Sequence, residues 1–122
     1  MDRSGDVDEG AAVLVISRYR VAPEDTDGFL ASAEQALAVL SERPGCLGVR
    51  LGRALDDGQL WVMQSQWESV GAYRRALSSY EVKMHAVPLM YRCVDEPSAY
   101  EVRLDARSGE VRHFAGALAD DG

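Results

Sequence analysis

The first apolar segment of the chain has the residue types of a strand. Residues 13–21 are rich in β-branched and aromatic side chains, which predicts a strand. Successive side chains of a strand point to opposite sides, so this strand has two different faces. One face carries Val13, Val15, Ser17, Tyr19 and Val21. The other face carries Leu14, Ile16, Arg18 and Arg20.

The next segment has the spacing of a helix. Pro23 is followed by acidic residues, which is typical of a helix start because acids favour the positive end of the helix dipole. Apolar residues then recur at helical spacing, at Phe29, Leu30, Ala33, Leu37 and Leu40. Arg43-Pro44-Gly45 predicts the end of this helix.

Two further strands are predicted to form a hairpin. Leu47, Val49 and Leu51 alternate with small or polar residues, and residues 60–67 are again β-branched and aromatic. Asp56-Asp57-Gly58 lies between them and contains residue types that tolerate a positive φ, so we expect a tight turn there.

The rest of the chain predicts a second helical region and a final strand. Ser69 can cap a helix with apolar residues at 70, 73 and 77. A short helical stretch from Glu81 to Val87 is expected to end at Pro88. Tyr100, Val102 and Leu104 alternate and predict the last strand. In the extension 105–122, Arg107-Ser108-Gly109 favours a small hairpin, and disorder is the alternative.

The resulting order βαββαβ predicts an α+β, ferredoxin-like domain with an antiparallel sheet over residues 11–104. Its helices cover one face of the sheet only, and the chain has no spare element to cover the other. A bare apolar face would be a large exposed patch, so we expect two copies to associate through their sheets. Residues 1–10 are expected to be a disordered acidic tail.

Length and charge narrow the function classes. The 122 residues fit one domain, and much of the net charge of −7 lies in the two tails. The arginines of the body are scattered, which argues against nucleic-acid binding.

No apolar run approaches the ~20 residues of a membrane span, and the N-terminus is not a secretory signal, so a cytoplasmic location is expected. Cys46 and Cys93 lack metal-ligand spacing, and no metal site is predicted.

Three stretches together resemble the antibiotic biosynthesis monooxygenase (ABM) family. Residues 43–51 are similar to that family's entry to its second strand, with the pattern P-G-x-L-G at residues 44–48. Trp67-Glu68-Ser69 followed by Ala72-Tyr73 resembles the family's entry to the second helix, and His85 falls where many members carry a histidine. The resemblance covers residues 11–104.

The resemblance implies a dimeric α+β barrel with a pocket in each subunit between the sheet and the second helical region. Some members of the family are cofactor-free oxygenases that convert aromatic polyketides to quinones. The expected function is therefore a cofactor-independent monooxygenase for a small aromatic, polyketide or quinone-like substrate. A non-catalytic ligand-binding or stress-associated dimer is an alternative from another class.

A second alternative is haem binding or haem degradation, because a related branch of the family carries out that chemistry. The histidine that binds the haem iron in that branch falls on His85. Two positions differ from the branch: Ser17 stands in place of an asparagine, and Ala76 in place of a tryptophan.

The candidate site residues follow from the chemistry of oxygenation without a cofactor. That reaction needs a base and a dry pocket, and His85 is the candidate catalytic residue. Candidate substrate-binding residues are the aromatic Tyr19, Trp61 and Tyr73 and the polar Ser17, Gln64 and Gln66. Some of these residues also have a purely structural interpretation. Tyr73 has the spacing of a helix core residue, and Trp67 is more readily a core anchor than a ligand wall. The strand face that carries Gln64 and Gln66 is expected to be exposed to solvent.

Overall fold

The computed structural model describes residues 12–94 and 99–116, so the acidic segment 1–10 lies outside the described residues. The strands are β1 (Val13–Arg20), β2 (Cys46–Arg53), β3 (Leu60–Trp67), β4 (Ala99–Glu101), β5 (Leu104–Arg107) and β6 (Glu110–His113). The helices are α1 (Thr26–Ser41), α2 (Val70–Leu77), α3 (Tyr80–His85) and α4 (Val87–Met90). A 3-10 turn, Pro23–Asp25, leads into α1.

Four strands form the main sheet in the order β2-β3-β1-β4, and all neighbours are antiparallel. This order, with α1 between β1 and β2 and the other helices between β3 and β4, confirms the predicted ferredoxin-like fold. In the two central strands, Tyr19 lies opposite Trp61 and Ser17 opposite Met63.

One side of the sheet packs against the helices and forms the core. Alternate residues of β1 and β3 are buried on this side, together with Phe29, Ala33, Ala36 and Leu40 of α1. Leu30 was predicted to belong to the same apolar stripe, but it is 39% exposed. The most completely buried large side chains are Trp67, Phe29, Leu40 and Val82. The opposite side, which includes Leu14, Ile16 and Val62, is only partly buried. The two predicted faces of β1 are therefore confirmed.

The connection between β2 and β3 differs from the predicted tight turn. It contains six residues, 54–59, and none of them has a positive φ. The Asp57 carboxylate stabilises this loop instead, since it accepts hydrogen bonds from the Gln59 amide and the Arg20 guanidinium, both at 3.1 Å. Hydrogen bonds to an aspartate side chain, rather than a backbone turn with positive φ, therefore stabilise this connection.

The predicted helix stop at Pro88 is wrong. Ser69 caps α2 as expected by accepting a hydrogen bond from the Ala72 amide, and α3 ends at His85. Pro88 then lies in the first turn of α4 rather than after a helix. A proline fits there because the first amides of a helix have no intrahelical acceptor to lose.

The predicted last strand is also shorter than expected. β4 ends at Glu101, and Leu104 belongs to a separate hairpin, β5–β6. The turn of this hairpin is Ser108-Gly109, and both residues have positive φ, 51° and 82°. Two such residues match the twist of the flanking strands, which stabilises a tight two-residue turn. No helix among the described residues is long and apolar enough to cross a membrane.

Candidate functional site

The helix-facing side of the sheet brings three of the candidate residues together. Ser17, Tyr19 and Trp61 are 2%, 2% and 7% exposed. Tyr19 and Trp61 are directly opposite each other on β1 and β3, and Ser17 lies two residues before Tyr19 on the same face. Side chains of such opposed residues start about 5 Å apart. These three side chains therefore belong to one buried group.

Phe29 of α1 completes this group. Its ring centroid is 5.3 Å from that of Tyr19 and 5.5 Å from that of Trp61, and both pairs are tilted rather than stacked. The Arg53 guanidinium lies over the Trp61 ring at 5.1 Å from its centroid, a cation–π contact. The buried Tyr19–Phe29–Trp61 aromatic cluster is thus bounded by a cation at its Trp61 end.

Two polar atoms of this cluster lack hydrogen bonds. Neither the Tyr19 hydroxyl nor the Trp61 Nε1 has a hydrogen-bond partner among the described residues, although both are buried. The other tryptophan differs: Trp67 Nε1 donates to the Ser65 hydroxyl at 2.9 Å. Native proteins satisfy most buried polar groups, so unsatisfied donors on two paired residues mark an unusual location.

Burial also controls the acidity of Tyr19. It raises the pKa of the phenol to about 12, and the nearby Cys93 thiol acts in the same direction. The Ser17 hydroxyl and the Arg92 guanidinium lower the pKa slightly, but no well-aligned hydrogen bond joins Ser17 to the Tyr19 hydroxyl. The Tyr19 phenol therefore stays protonated and remains a donor rather than a base.

His85 lies in a different place, a surface groove between α1, α3 and α4. Its Nε2 is 3.6 Å from a carboxylate oxygen of Glu81, one turn earlier on α3, and about a third of its side chain is exposed. The groove has a volume of about 160 Å³. It is lined by Ser32, Gln35, Met84, His85, Pro88, Leu89 and Arg92.

One residue of the groove, Arg92, also affects the buried cluster electrostatically. It lines the groove beside His85, and its charge acts on the Tyr19 hydroxyl. Sequence reasoning missed this residue because it follows α4 in a stretch without apolar periodicity. Phe29 was expected only as a core residue of α1, and its spacing gave no sign that it joins Tyr19 and Trp61.

The remaining candidates lie elsewhere. Gln64 and Gln66 project from the opposite side of the sheet from Trp61, because they alternate with it along β3. A cavity within one chain therefore cannot contact both Trp61 and the two glutamines. Tyr73 packs against Trp67 with ring centroids 5.7 Å apart, and burial raises the pKa of its phenol. The candidate residues thus divide among the buried cluster, the groove, the Trp67 corner and the open side of the sheet.

The groove does not fit haem. Pockets for drug-sized ligands have volumes of roughly 300–1,000 Å³, whereas the groove beside His85 has about 160 Å³. The His85 Nε2, an atom that would have to face the iron, is directed towards the Glu81 carboxylate.

These features define a ferredoxin-like α+β protein with a buried aromatic cluster beside its central strands. The chain belongs to the antibiotic biosynthesis monooxygenase family, whose model matches residues 12–86. No curated protein matches it in sequence.

Several solved structures share the fold. SnoaB, a cofactor-independent oxygenase from Streptomyces nogalater, is 24% identical with a TM-score of 0.62, over 76% of this chain and 94% of SnoaB. Rv0793 from Mycobacterium tuberculosis is 15% identical with a TM-score of 0.63, over 80% and 99% of the two chains. A conserved protein from Methanosarcina mazei is 19% identical with a TM-score of 0.63, over 78% and 96%.

Proposed function

We propose that this protein is a cofactor-independent monooxygenase that acts on a small aromatic, polyketide or quinone-like substrate. Membership of the ABM family supports this proposal, and SnoaB, a protein of the same fold, is a cofactor-independent oxygenase. The observation that carries it is the buried aromatic cluster with two unsatisfied donors, Tyr19 and Trp61. Flat apolar walls with a few polar atoms are what an aromatic substrate with ring oxygens requires.

The proposed reaction needs only the substrate, molecular oxygen and a base. The base removes a proton from an activated CH₂ group, and the resulting carbanion adds to O₂ to form a peroxide. Protonation gives a hydroperoxide, which loses water to leave a carbonyl group. The CH₂ carbon is oxidised, one oxygen atom of O₂ enters the product, and the other leaves as water.

His85 is the proposed base. An imidazole accepts and releases protons near neutral pH, and this one is accessible from the groove. Glu81 lies one turn away and would stabilise the imidazolium that forms. Because the groove is small, a substrate with several rings would have to extend beyond it.

The protein is also proposed to act as a homodimer. The open side of the sheet carries Leu14, Ile16, Leu60, Val62 and Tyr100, which are apolar or aromatic and only partly covered. Association of two such sides would remove this patch from water. Gln64 and Gln66 lie on the same side and would then be interface residues.

Oxygen consumption with a panel of anthrones and quinols tests the proposed activity. We expect His85→Ala to lower kcat about 100-fold or more, the usual contribution of a general base. His113→Ala is the matched control, because His113 is the other histidine and lies exposed on the β5–β6 hairpin.

Two outcomes would contradict the proposal. If no substrate of the panel is consumed, a non-catalytic ligand-binding protein is the better description. If a substrate is consumed and His85→Ala leaves kcat unchanged, the activity stands and the assignment of the base is wrong.

A further inference from the structure

The groove beside His85 combines polar and apolar side chains. Ser32 and Gln35 of α1 contribute a hydroxyl and an amide, each able to donate a hydrogen bond. The helices α3 and α4 contribute apolar side chains, among them the buried Leu89. This mixture is typical of sites for small molecules, in which apolar walls and a few polar groups together fix the orientation of a ligand.

Arg92 gives the groove a positive charge. Apart from His85, it is the one ionisable residue among the described residues that line the groove, and no acidic side chain is among them. None of the carboxylates that the structure describes forms a salt bridge with Arg92, and the Glu81 carboxylate lies beside His85 instead. A guanidinium that lines a concave surface without such a partner favours an anionic ligand.

The backbone on either side of Arg92 is fixed by hydrogen bonds. The Arg92 amide donates to the Leu89 carbonyl at 2.9 Å, and the Val94 amide donates to the Arg18 carbonyl of β1 at 2.6 Å. The turn that carries Arg92 is therefore tied both to α4 and to the central sheet. A fixed backbone leaves only side-chain freedom to be lost when a ligand binds, which lowers the entropic cost of binding.

We infer that the groove binds a carboxylate group of the substrate and that the Arg92 guanidinium holds it. This inference rests on the proposed function, since the carboxylate belongs to the aromatic or quinone-like substrate that His85 deprotonates. It defines the substrate class more closely, as a ring system that carries a short acidic side chain. Arg92 is then a specificity-determining residue of the reaction.

The chemistry of the guanidinium selects a carboxylate. Its planar N–H groups can donate two parallel hydrogen bonds to the two oxygens of a carboxylate. The Ser32 hydroxyl and the Gln35 amide can donate to the lone pairs that remain. A neutral amide in the same place would accept hydrogen bonds without neutralising the cation. The groove should therefore discriminate between an acid and the corresponding amide.

The volume of the groove limits the length of the acidic side chain. About 160 Å³ is comparable to the space of about five water molecules, at ~30 Å³ each. A carboxylate on a stem of one or two carbon atoms has a similar number of heavy atoms, whereas a fused ring system does not fit. The rings would therefore lie outside the groove, where the partly exposed His85 side chain is accessible.

Two probes of the same shape and different charge test the inference. 1-Naphthylacetate carries a carboxylate on a stem of one carbon, and 1-naphthylacetamide carries a neutral amide in its place. By isothermal titration calorimetry at neutral pH, we expect the native protein to bind the acid about tenfold or more tightly than the amide. Arg92→Gln should abolish this preference by weakening the binding of the acid, with little change for the amide.

Lys83→Gln is the matched control. It removes a positive charge from an exposed position of α3 that does not line the groove, so the native preference should remain. The inference is overturned if the native protein binds neither probe or binds both equally, or if Arg92→Gln keeps the native ratio of affinities. It is also overturned if Lys83→Gln abolishes the preference, because general positive charge would then account for it.

Turnover distinguishes this inference from the proposed function. With an anthrone that carries a short carboxylate side chain, Arg92→Gln should raise KM about tenfold and leave kcat nearly unchanged, whereas His85→Ala lowers kcat. Oxygen consumption that depends on His85, with no preference for acids and no effect of Arg92→Gln, would refute the carboxylate site and leave the proposed function standing. A preference for acids that depends on Arg92, without any oxygen consumption, would support the site and refute the oxygenase.

Discussion

At the scale of single residues, burial decides what each tyrosine hydroxyl can do. Tyr19 and Tyr73 both have a raised pKa because they are withdrawn from water, whereas Tyr80 is mostly exposed. A buried neutral phenol is a hydrogen-bond donor over the whole physiological pH range. For this reason Tyr19 is proposed to bind the substrate, and His85 is proposed to transfer the proton.

The buried phenol of Tyr19 predicts a loss of stability at alkaline pH. Its pKa is about 12 in the folded chain, against 10.0 for an ordinary tyrosine. The folded state therefore favours the neutral phenol, so this contribution is complete below pH 10 and is lost as the pH rises towards 12. We expect the free energy of unfolding to fall by about 2–3 kcal/mol over that interval, as measured by urea titration.

Tyr19→Phe is expected to remove most of this pH dependence. Tyr73 and Cys46 leave a residual slope in the same direction, because burial raises the pKa of both side chains too. Tyr80→Phe, at a mostly exposed position, is the control. Equal slopes in the native protein and Tyr19→Phe would show that burial does not raise the pKa of the Tyr19 phenol. The argument that this phenol stays neutral would then be refuted.

Several candidate residues could be found from the sequence, and others could not. Ser17 and Tyr19 were placed on one face of β1 because strand periodicity is a local property, and the structure confirms that face. Arg92 could not be found, because its proximity to Tyr19 depends on how α4 packs. The separation of Gln64 from Trp61 also follows from local alternation, and it places them on opposite sides of the sheet.

At the scale of elements, Gly45 lies between α1 and β2, at the point where this connection packs against α2. It has a φ of +86°, and a methyl group on its Cα would lie 2.5 Å from the Ala72 Cβ of α2. Its carbonyl accepts a hydrogen bond from the Glu68 amide at 2.8 Å. This glycine therefore allows both a left-handed backbone and a close approach of the helix.

Gly45→Ala is expected to destabilise the fold by about 2 kcal/mol or more. The left-handed conformation costs a residue with a side chain about 1–2 kcal/mol, and the contact with Ala72 adds to this. Urea unfolding measures the difference. Gly58→Ala is the matched control, because Gly58 has an ordinary φ and no atom near its added methyl group. A native-like free energy of unfolding for Gly45→Ala would disprove the close approach.

The elements that were predicted least accurately are those at the C-terminal end. Pro88 was expected to stop a helix and instead begins one, because a proline is compatible with both positions. Leu104 continues the alternation of the last strand, yet it pairs with β6 rather than with the main sheet. Hairpin pairing competes with sheet pairing there, and local patterns do not decide between the two.

At the scale of the whole molecule, the two sides of the sheet differ in what covers them. One side packs against α1 and contains the aromatic cluster, and the other side exposes Ile16 and Val62 in part. The fold of one chain explains how the first side is protected from water. Association of two chains, as proposed, would protect the second.

Ile16→Lys tests this association. Ile16 lies at the centre of the open side, so a charge there should separate the two copies and give a monomer by light scattering over a dilution series. Leu30→Lys, a partly exposed position of α1, is the control and should remain a dimer. A native chain that is monomeric at all concentrations would refute the homodimer.

The sequence by itself determined the first three strands, the first helix, the cap at Ser69 and the two faces of β1, because periodicity and capping depend on residues that are close together in the chain. It also indicated the aromatic and histidine candidates as residue types. Only the tertiary structure decided that Tyr19, Phe29 and Trp61 meet, that two of their polar atoms lack partners, and that His85 lies in a separate groove with Arg92. These contacts join residues far apart in the chain, and their geometry depends on how helices pack on the sheet, which no local pattern specifies.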